Sequence, residues 1–272
     1  MATFLETAVA IAREAGTLLG QFYEQRVGFE LKGDFDLVTV ADRASEKLVV
    51  ERLKQHYPDH SIVAEEGGGH ETGGDYRWYV DPLDGTTNFA HGFPVFNVTL
   101  ALERRGEMIA GVVLDPIRHE EFTAELGAGA FLNHKRIRVS TVAAVEQTLV
   151  STGFPSRGRQ QNINIHFYHQ LAMSAHGVRR CGAAALDLAN VACGRLDAFW
   201  EFGLNPWDLA AGRLLVTEAG GQCSDMRGAR HTLESGHLLV DNGLVHAELL
   251  AVFDEVFRGK QRHALPVIEP AD

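Results

Sequence analysis

Apolar residues recur at helical spacing from residue 3 to residue 25, where Phe4, Ala8, Ile11, Ala15, Leu18, Leu19 and Phe22 share one face. That spacing predicts a helix. Gly28 to Lys32 reads as a short strand, and Ala41 to His56 as a second helix that ends before Pro58. Ser61–Ala64 and Arg77–Val80 are apolar strand candidates, and they stop at Glu65 and Asp81. Acidic side chains at strand ends sit where a rigid scaffold can hold them. From Val95 to Phe131 apolar and polar positions alternate, with breaks near Arg105-Gly106 and Asp115-Pro116, which predicts an antiparallel meander.

After about Thr141 strands and helices take turns. The pattern predicts strands near 149–152, 197–201 and 237–240, and helices near 159–175, 183–193, 207–219 and 243–257. Gly220-Gly221 closes the helix at 207–219. A meander followed by alternation implies an α+β lobe over about 1–140 joined to an α/β lobe over about 141–257. Residues 258–272 carry two prolines and no periodicity and read as a frayed C-terminal tail.

Composition narrows the function classes. With 272 residues, 45% hydrophobic and 22% charged, the chain has the make-up of a globular enzyme. No apolar run approaches the ~18 residues of a membrane span, and no basic-then-apolar leader opens the chain. A formal charge of −11 offers no basic stripe for nucleic acid; Arg104-Arg105 and Arg179-Arg180 read as solvated surface. The three cysteines, Cys181, Cys193 and Cys223, form no Cys-x-x-Cys pair, and their odd number fits a reducing cytoplasm. His166 and His169 lie one turn apart without the glutamate of a zinc helix, so they read as surface or structural.

The richest chemistry lies in Trp78-Tyr79-Val80-Asp81-Pro82-Leu83-Asp84-Gly85-Thr86-Thr87-Asn88-Phe89. Two carboxylates stand three residues apart with Pro82 between them, and an acidic pair, Glu65-Glu66, precedes them. Hard cations take clustered carboxylate oxygens, and phosphate oxygens take N–H groups at a helix start, which Gly85 and Thr86 could supply. Either aspartate alone would be ordinary turn chemistry. The position of an aspartyl-phosphate nucleophile, two residues before Asp84, is Pro82, and Gly67-Gly68-Gly69 leads to His70 rather than to a Walker lysine. The glycine run reads as a mobile loop.

Asp81-Pro82-Leu83-Asp84-Gly85-Thr86-Thr87 resembles the signature of the inositol monophosphatase family. Ala64-Glu65-Glu66 resembles its Gly-Glu-Glu block. Asp36-Leu37-Val38-Thr39 with Asp42 resembles its Asp-Leu-Val-Thr segment, and Trp207-Asp208-Leu209-Ala210-Ala211-Gly212 its C-terminal block. The four blocks keep their order, and the likeness covers about residues 1–257 as a single domain. It implies a layered αβαβα sandwich of the inositol monophosphatase / fructose-1,6-bisphosphatase superfamily, with the site between lobes.

The resemblance also implies roles. Metal ligands fall on Glu65, Asp81, Asp84, Asp208 and the carbonyl of Leu83. Catalysis falls on Glu65, Thr86 and Asp42, with Asp42 accepting from the Thr86 hydroxyl. Thr39-x-x-Asp42 equally reads as a capping box, and the two jobs are compatible. Substrate binding falls on Asp84, Gly85, Thr86, Gly182, Ala183, Ala184, Glu201 and Asp208. Ala183 stands where many relatives carry a hydroxyl, and Lys32 matches a loop lysine at a spacing one residue short.

By the same resemblance the chain is expected to be a homodimeric, lithium-sensitive phosphomonoesterase using two to three Mg²⁺ ions. Metal-activated water would attack myo-inositol monophosphate directly, without a covalent intermediate. The expected partner is a small phosphate monoester, with neither nucleic acid nor membrane. Rival readings are phosphatases of histidinol phosphate, fructose-1,6-bisphosphate or 3′-phosphoadenosine-5′-phosphate, and a regulatory member without turnover.

Overall fold

The computed structural model describes residues 2–31, 37–155 and 161–265. Lys32 and Asp36 lie outside them. The first helix, α1 (Phe4–Gln25), opens with a capping box between Thr3 and Glu6. A small hairpin follows, β1 (Phe29–Leu31) with β2 (Leu37–Thr39), and then α2 (Val40–His56), whose capping box is Thr39 with Asp42.

Seven strands form the large sheet in the order β3-β4-β5-β6-β7-β8-β9. They are β3 (Ser61–Ala64), β4 (Tyr76–Asp84), β5 (Asn97–Arg104), β6 (Glu107–Asp115), β7 (Glu120–Glu125), β8 (Gly129–Leu132) and β9 (Lys135–Arg136). β3 and β4 are parallel; every later pairing is antiparallel, as the alternation predicts. A short helix, α3 (Thr86–Ala90), separates β4 from β5.

The second sheet has the order β11-β10-β12-β14-β13. Its strands are β10 (Leu149–Thr152), β11 (Gly177–Arg179), β12 (Ala198–Phe202), β13 (Gln222–Ser224) and β14 (His237–Asp241). β10 runs parallel to both β11 and β12. Four helices belong to this half: α4 (Asn164–Ser174), α5 (Ala184–Ala192), α6 (Pro206–Glu218) and α7 (His246–Phe257). β11 and β13 escape the sequence pattern because each is three residues long, too short to show a period.

Three apolar clusters fill the spaces between five layers. Ile11, Leu19, Val49 and Leu53 of α1 and α2 pack on Trp78, Val80, Val98, Leu100 and Val112, one face of the large sheet. The alternate positions, Tyr79, Ala101 and Val113, face α5 and α6, which also cover Phe199 and Val240 of the second sheet. Phe167, Leu171, Leu249 and Phe253 of α4 and α7 cover that sheet's far face at Ala198, Trp200 and Leu239. The result is the αβαβα sandwich. Close approach in the middle layer needs glycine. A Cβ at Gly111 would stand 3.1 Å from Ala211 Cα on α6, and one at Gly212 would press 2.5 Å from Leu188 on α5.

Gly220, at φ +90°, lies just past the end of α6, as the helix-ending glycine should. Past α7, the His263 N–H donates to Gln170 Oε1 and its carbonyl accepts from Gln170 Nε2, both at 2.9 Å. That stretch of the tail is tied to α4. All three cysteines are unpaired and half-buried. No helix among the described residues is long and apolar enough to cross a membrane.

Candidate active site

The ends of two parallel strand pairs meet at one cavity of about 500 Å³. Glu65 follows β3 and Asp81 lies near the end of β4, in parallel register through Ala64 and Val80. Across the cavity, Gly153 follows β10 and Glu201 lies on the neighbouring β12. Ligands in α/β sheets gather at such carboxyl ends.

A bulge in β4 decides where the two aspartates point. In a regular strand, residues three apart face opposite sides. Here Asp81 pairs with Thr99 and Asp84 with Asn97, so three steps on β4 oppose two on β5. Asn97 and Thr99 share a face, and Asp81 and Asp84 therefore share it too. Pro82, which lacks an N–H to lose, lies in the bulge, and Leu83 N–H turns back to Asp81 Oδ1 at 3.0 Å.

Each carboxylate is then fixed. Asp84 accepts from Asn97 Nδ2 at 2.7 Å, from the Ala185 N–H at 2.8 Å and from the Ala184 N–H at 3.2 Å, which ties β4 to the start of α5. Asn88 adds to this join by donating to the Cys181 carbonyl at 2.9 Å. Thr86 Oγ lies 2.8 Å from Asp42 Oδ1 and 3.1 Å from the Leu83 carbonyl. Asp42 Oδ2 receives the Thr39 N–H and hydroxyl at 2.7 and 2.6 Å. One oxygen caps α2 and the other meets Thr86, so both expected jobs of Asp42 coexist. Asp208, at the third position of α6, accepts the Asn205 N–H at 2.7 Å while it lines the cavity.

Burial shapes the charge state. Asp81 is lifted well above the usual carboxylate range by burial first, then by the charges of Glu65, Asp84 and Asp208, and it shares a hydrogen bond with Glu65. Burial also raises Asp84, against the three hydrogen bonds it accepts. Asp208 is pushed up to about 7, chiefly by burial. Glu201 is lifted well above its usual value by burial and then by Asp187 and Asp208.

Glu65, Asp81, Leu83, Asp84, Gly85, Thr86, Gly182, Ala183, Ala184, Glu201 and Asp208 all line this cavity, and Asp42 stands one hydrogen bond behind Thr86. The Ala184 N–H is engaged by Asp84. The glycine run after Glu65, expected to be a mobile loop, is instead anchored: the Glu66 and Gly68 N–H groups donate to Glu46. Two charged lining residues were not expected at the site. Asp187 is 1% exposed on α5, and Arg180, expected as plain surface, stands exposed at the rim. Their signal was position, close to the Gly182 helix start.

Among the described residues, no three His, Cys, Asp or Glu side chains form a ready-made metal cage. The fit of a metal rests on donor chemistry. The lining offers carboxylates and the Leu83 carbonyl, with no thiol or imidazole among its described residues. An all-oxygen set suits a hard divalent cation. A cation would also relieve the crowding that raises Asp81.

The sequence profile of the inositol monophosphatase family matches residues 1–257. The chain is 48% identical over 250 residues to the Nus factor SuhB of Pseudomonas aeruginosa, covering 89% of this chain and 92% of that one. It is 43% identical over 251 residues to the inositol-1-monophosphatase of Mesorhizobium japonicum, covering 90% and 94%. The crystal structure of the extragenic suppressor protein suhB of Bartonella henselae superposes with a TM-score of 0.87 at 39% identity, covering 92% of this chain and 97% of that one.

Proposed function

The chain belongs to the inositol monophosphatase family, and from that premise we propose that it is a Mg²⁺-dependent phosphomonoesterase whose preferred substrate is a myo-inositol monophosphate. The observation that carries the reading is the bulge that turns Asp81 and Asp84 to one face of the cavity. Glu65, Asp81, Asp84, Asp208 and the Leu83 carbonyl would hold two to three Mg²⁺ ions. Magnesium held there supplies charge neutralisation for the phosphoryl group and leaving alkoxide, and a more acidic water.

The chain's own groups do the rest. N–H groups of Gly85 and Thr86 bind phosphate oxygens at the start of α3. The Thr86 hydroxyl donates a hydrogen bond to Asp42 Oδ1, which leaves its lone pairs to accept from the attacking water. Glu65 receives a proton from that water. Pro82 at the position of an aspartyl nucleophile favours direct attack with inversion at phosphorus. On the opposite wall Glu201 accepts from ring hydroxyls, beside Gly182, Ala183 and Ala184. A reducing cytoplasm fits three unpaired thiols, and a homodimer is in keeping with the family.

The test is a phosphate-release panel with and without Mg²⁺. Inositol-1-phosphate should be the best substrate, ahead of histidinol phosphate, fructose-1,6-bisphosphate and 3′-phosphoadenosine-5′-phosphate. Activity should vanish on chelation and fall in tens of millimolar Li⁺ (a rough scale for a weak monovalent site). A rival with kcat/KM more than about tenfold higher would displace the inositol reading, a gap of ~1.4 kcal/mol. A second reading, a protein acting through a macromolecular partner, draws on the relative named Nus factor SuhB. It gains if the folded protein hydrolyses none of the panel.

A further inference from the structure

Helix α2 carries three buried polar residues on one side. Asp42, Ser45 and Glu46 are 0%, 0% and 5% exposed, and their spacing of three and four places them on one face. Each grips a segment that carries or adjoins a residue of the cavity wall. Asp42 meets Thr86 Oγ. Ser45 Oγ donates to the Pro82 carbonyl, inside the β4 bulge, at 2.8 Å. Glu46 accepts the Glu66 N–H on Oε2 at 2.6 Å and the Gly68 N–H on Oε1 at 2.8 Å.

The loop that carries Glu65 is closed at its base by the backbone pair Ile62–His70, with hydrogen bonds of 2.8 and 2.9 Å. Its upper part, Glu66 to Gly69, contains three glycines and has no strand partner of its own. Such a segment loses much conformational entropy on ordering. Glu46 helps to order it, through two charge-assisted hydrogen bonds. The fit is close: a Cβ at Gly68 would stand 2.7 Å from Glu46 Oε1, and one at Gly69 would run into the Ile62 carbonyl.

We propose that Glu46 is a positioning residue for the cation site: by fixing the Glu66 and Gly68 amides it holds the preceding Glu65 turned toward Asp81. The inference rests on the Mg²⁺ phosphatase reading. Ser45 does the same for the bulge, so that one helix face presets the three segments that bear Glu65, Asp81 with Asp84, and Thr86. Glu46 is not among the residues that line the cavity. Its effect reaches them through backbone placement, and it belongs to the class of outer partners whose loss weakens metal binding ~10–100-fold.

The experiment pairs Glu46→Gln with Gly68→Ala. Glutamine keeps the size but turns an NH₂ group toward one of the two N–H donors. Alanine at 68 leaves Glu46 in place and pushes on its carboxylate. Three quantities are read: Mg²⁺ affinity of substrate-free protein by calorimetry, hydrogen exchange at the 66 and 68 amides, and KM against kcat at saturating Mg²⁺. For Glu46→Gln the Mg²⁺ Kd should rise about tenfold, both amides should exchange faster, and KM should stay near wild type. Gly68→Ala should shift in the same direction with a smaller change, and it serves alone if Glu46→Gln does not fold. Wild-type Mg²⁺ affinity in the folded variants overturns the proposal, as does lowered thermal stability with exchange at 66 and 68 unchanged. A wild-type protein that binds no Mg²⁺ removes the phosphatase reading and the inference with it. A wild type that binds Mg²⁺ beside variants that bind it equally removes the inference alone.

Discussion

The two walls of the cavity are held by opposite means. On the β4 wall every aspartate is tied down: Asp84 by Asn97 and the start of α5, Asp81 by Leu83, and the Thr86 turn by Asp42. On the β12 wall no described residue donates a hydrogen bond to Glu201, which lies flush against Gly153. Asp187 beside it has one oxygen without a partner; Cys181 and Ser151 come near, but Ser151 Oγ is itself unpaired. A buried acceptor left open, as Asp187 Oδ1 is, is costly to the fold, and an open acceptor becomes selective when a ligand fills it. The first wall therefore keeps a fixed charge geometry, and the second leaves acceptor oxygens open, which on the proposed reading are there for substrate hydroxyls.

The largest expected effect strikes the rigid wall. Asp81→Asn should lower kcat/KM by about 10³-fold or more, the scale of losing a central charge-stabilising group. The variant should melt no lower than wild type near pH 7.5, because burial and three acidic neighbours already disfavour the Asp81 charge. Turnover within a few-fold of wild type would remove Asp81 from the reaction. Asn97→Ala comes next. It leaves Asp84 Oδ2 with the Ala185 N–H alone, and loss of such an orienting partner costs ~10–100-fold in activity or metal affinity. Wild-type kinetics in that variant would mean that the α5 amides suffice to hold Asp84.

The open wall should respond in selectivity rather than in rate. Glu201→Gln keeps the shape and replaces one acceptor oxygen with an NH₂ donor. Discrimination between inositol-1-phosphate and a simple alkyl phosphate should shrink by about tenfold in the ratio of kcat/KM values. An equal loss for both substrates would instead assign Glu201 to the phosphoryl end of the site.

These two walls differ in how far they could be read beforehand. Alternation and helical spacing located the longer helices and strands around the cavity, with the helix expected near 159 beginning at Asn164 within the described residues. They did not reveal how the layers stack; that came from the family likeness of four short blocks. Pro82 and the spacing of Asp81 from Asp84 were legible, yet the bulge was not. It exists only because Thr99 and Asn97 on another strand set the register. Glu46 and Ser45 were silent for the same reason: each is an ordinary residue on a helix until the chain brings its partner from 20 to 37 positions away. Asp187 looked like one more polar position on a helix, and only its burial marks it.

Asp187 gives the smallest and most discriminating test, since it asks whether the open wall costs stability. Burial pushes its carboxyl from an ordinary 3.8 up to about 7. The folded protein thus binds a proton there that the unfolded chain has released, so stability falls as pH rises from near 4 to about 7. The full difference corresponds to ~4 kcal/mol at most. Asp187→Asn removes this titration. In chelator its melting temperature at pH 8 should exceed that of wild type by several degrees, at ~2–4 °C per kcal/mol for a chain of this size, and the gap should close near pH 4. Asp81, Asp84, Asp208 and Glu201 titrate in the same direction in both proteins, so the difference isolates Asp187 and its push on Glu201. A gain in stability with poorer selectivity among polyol phosphates would mean that the open acceptor is kept for the substrate at the expense of the fold. A variant no more stable than wild type at pH 8 would show that Asp187 is already satisfied, and the contrast between the two walls would rest on Glu201 alone.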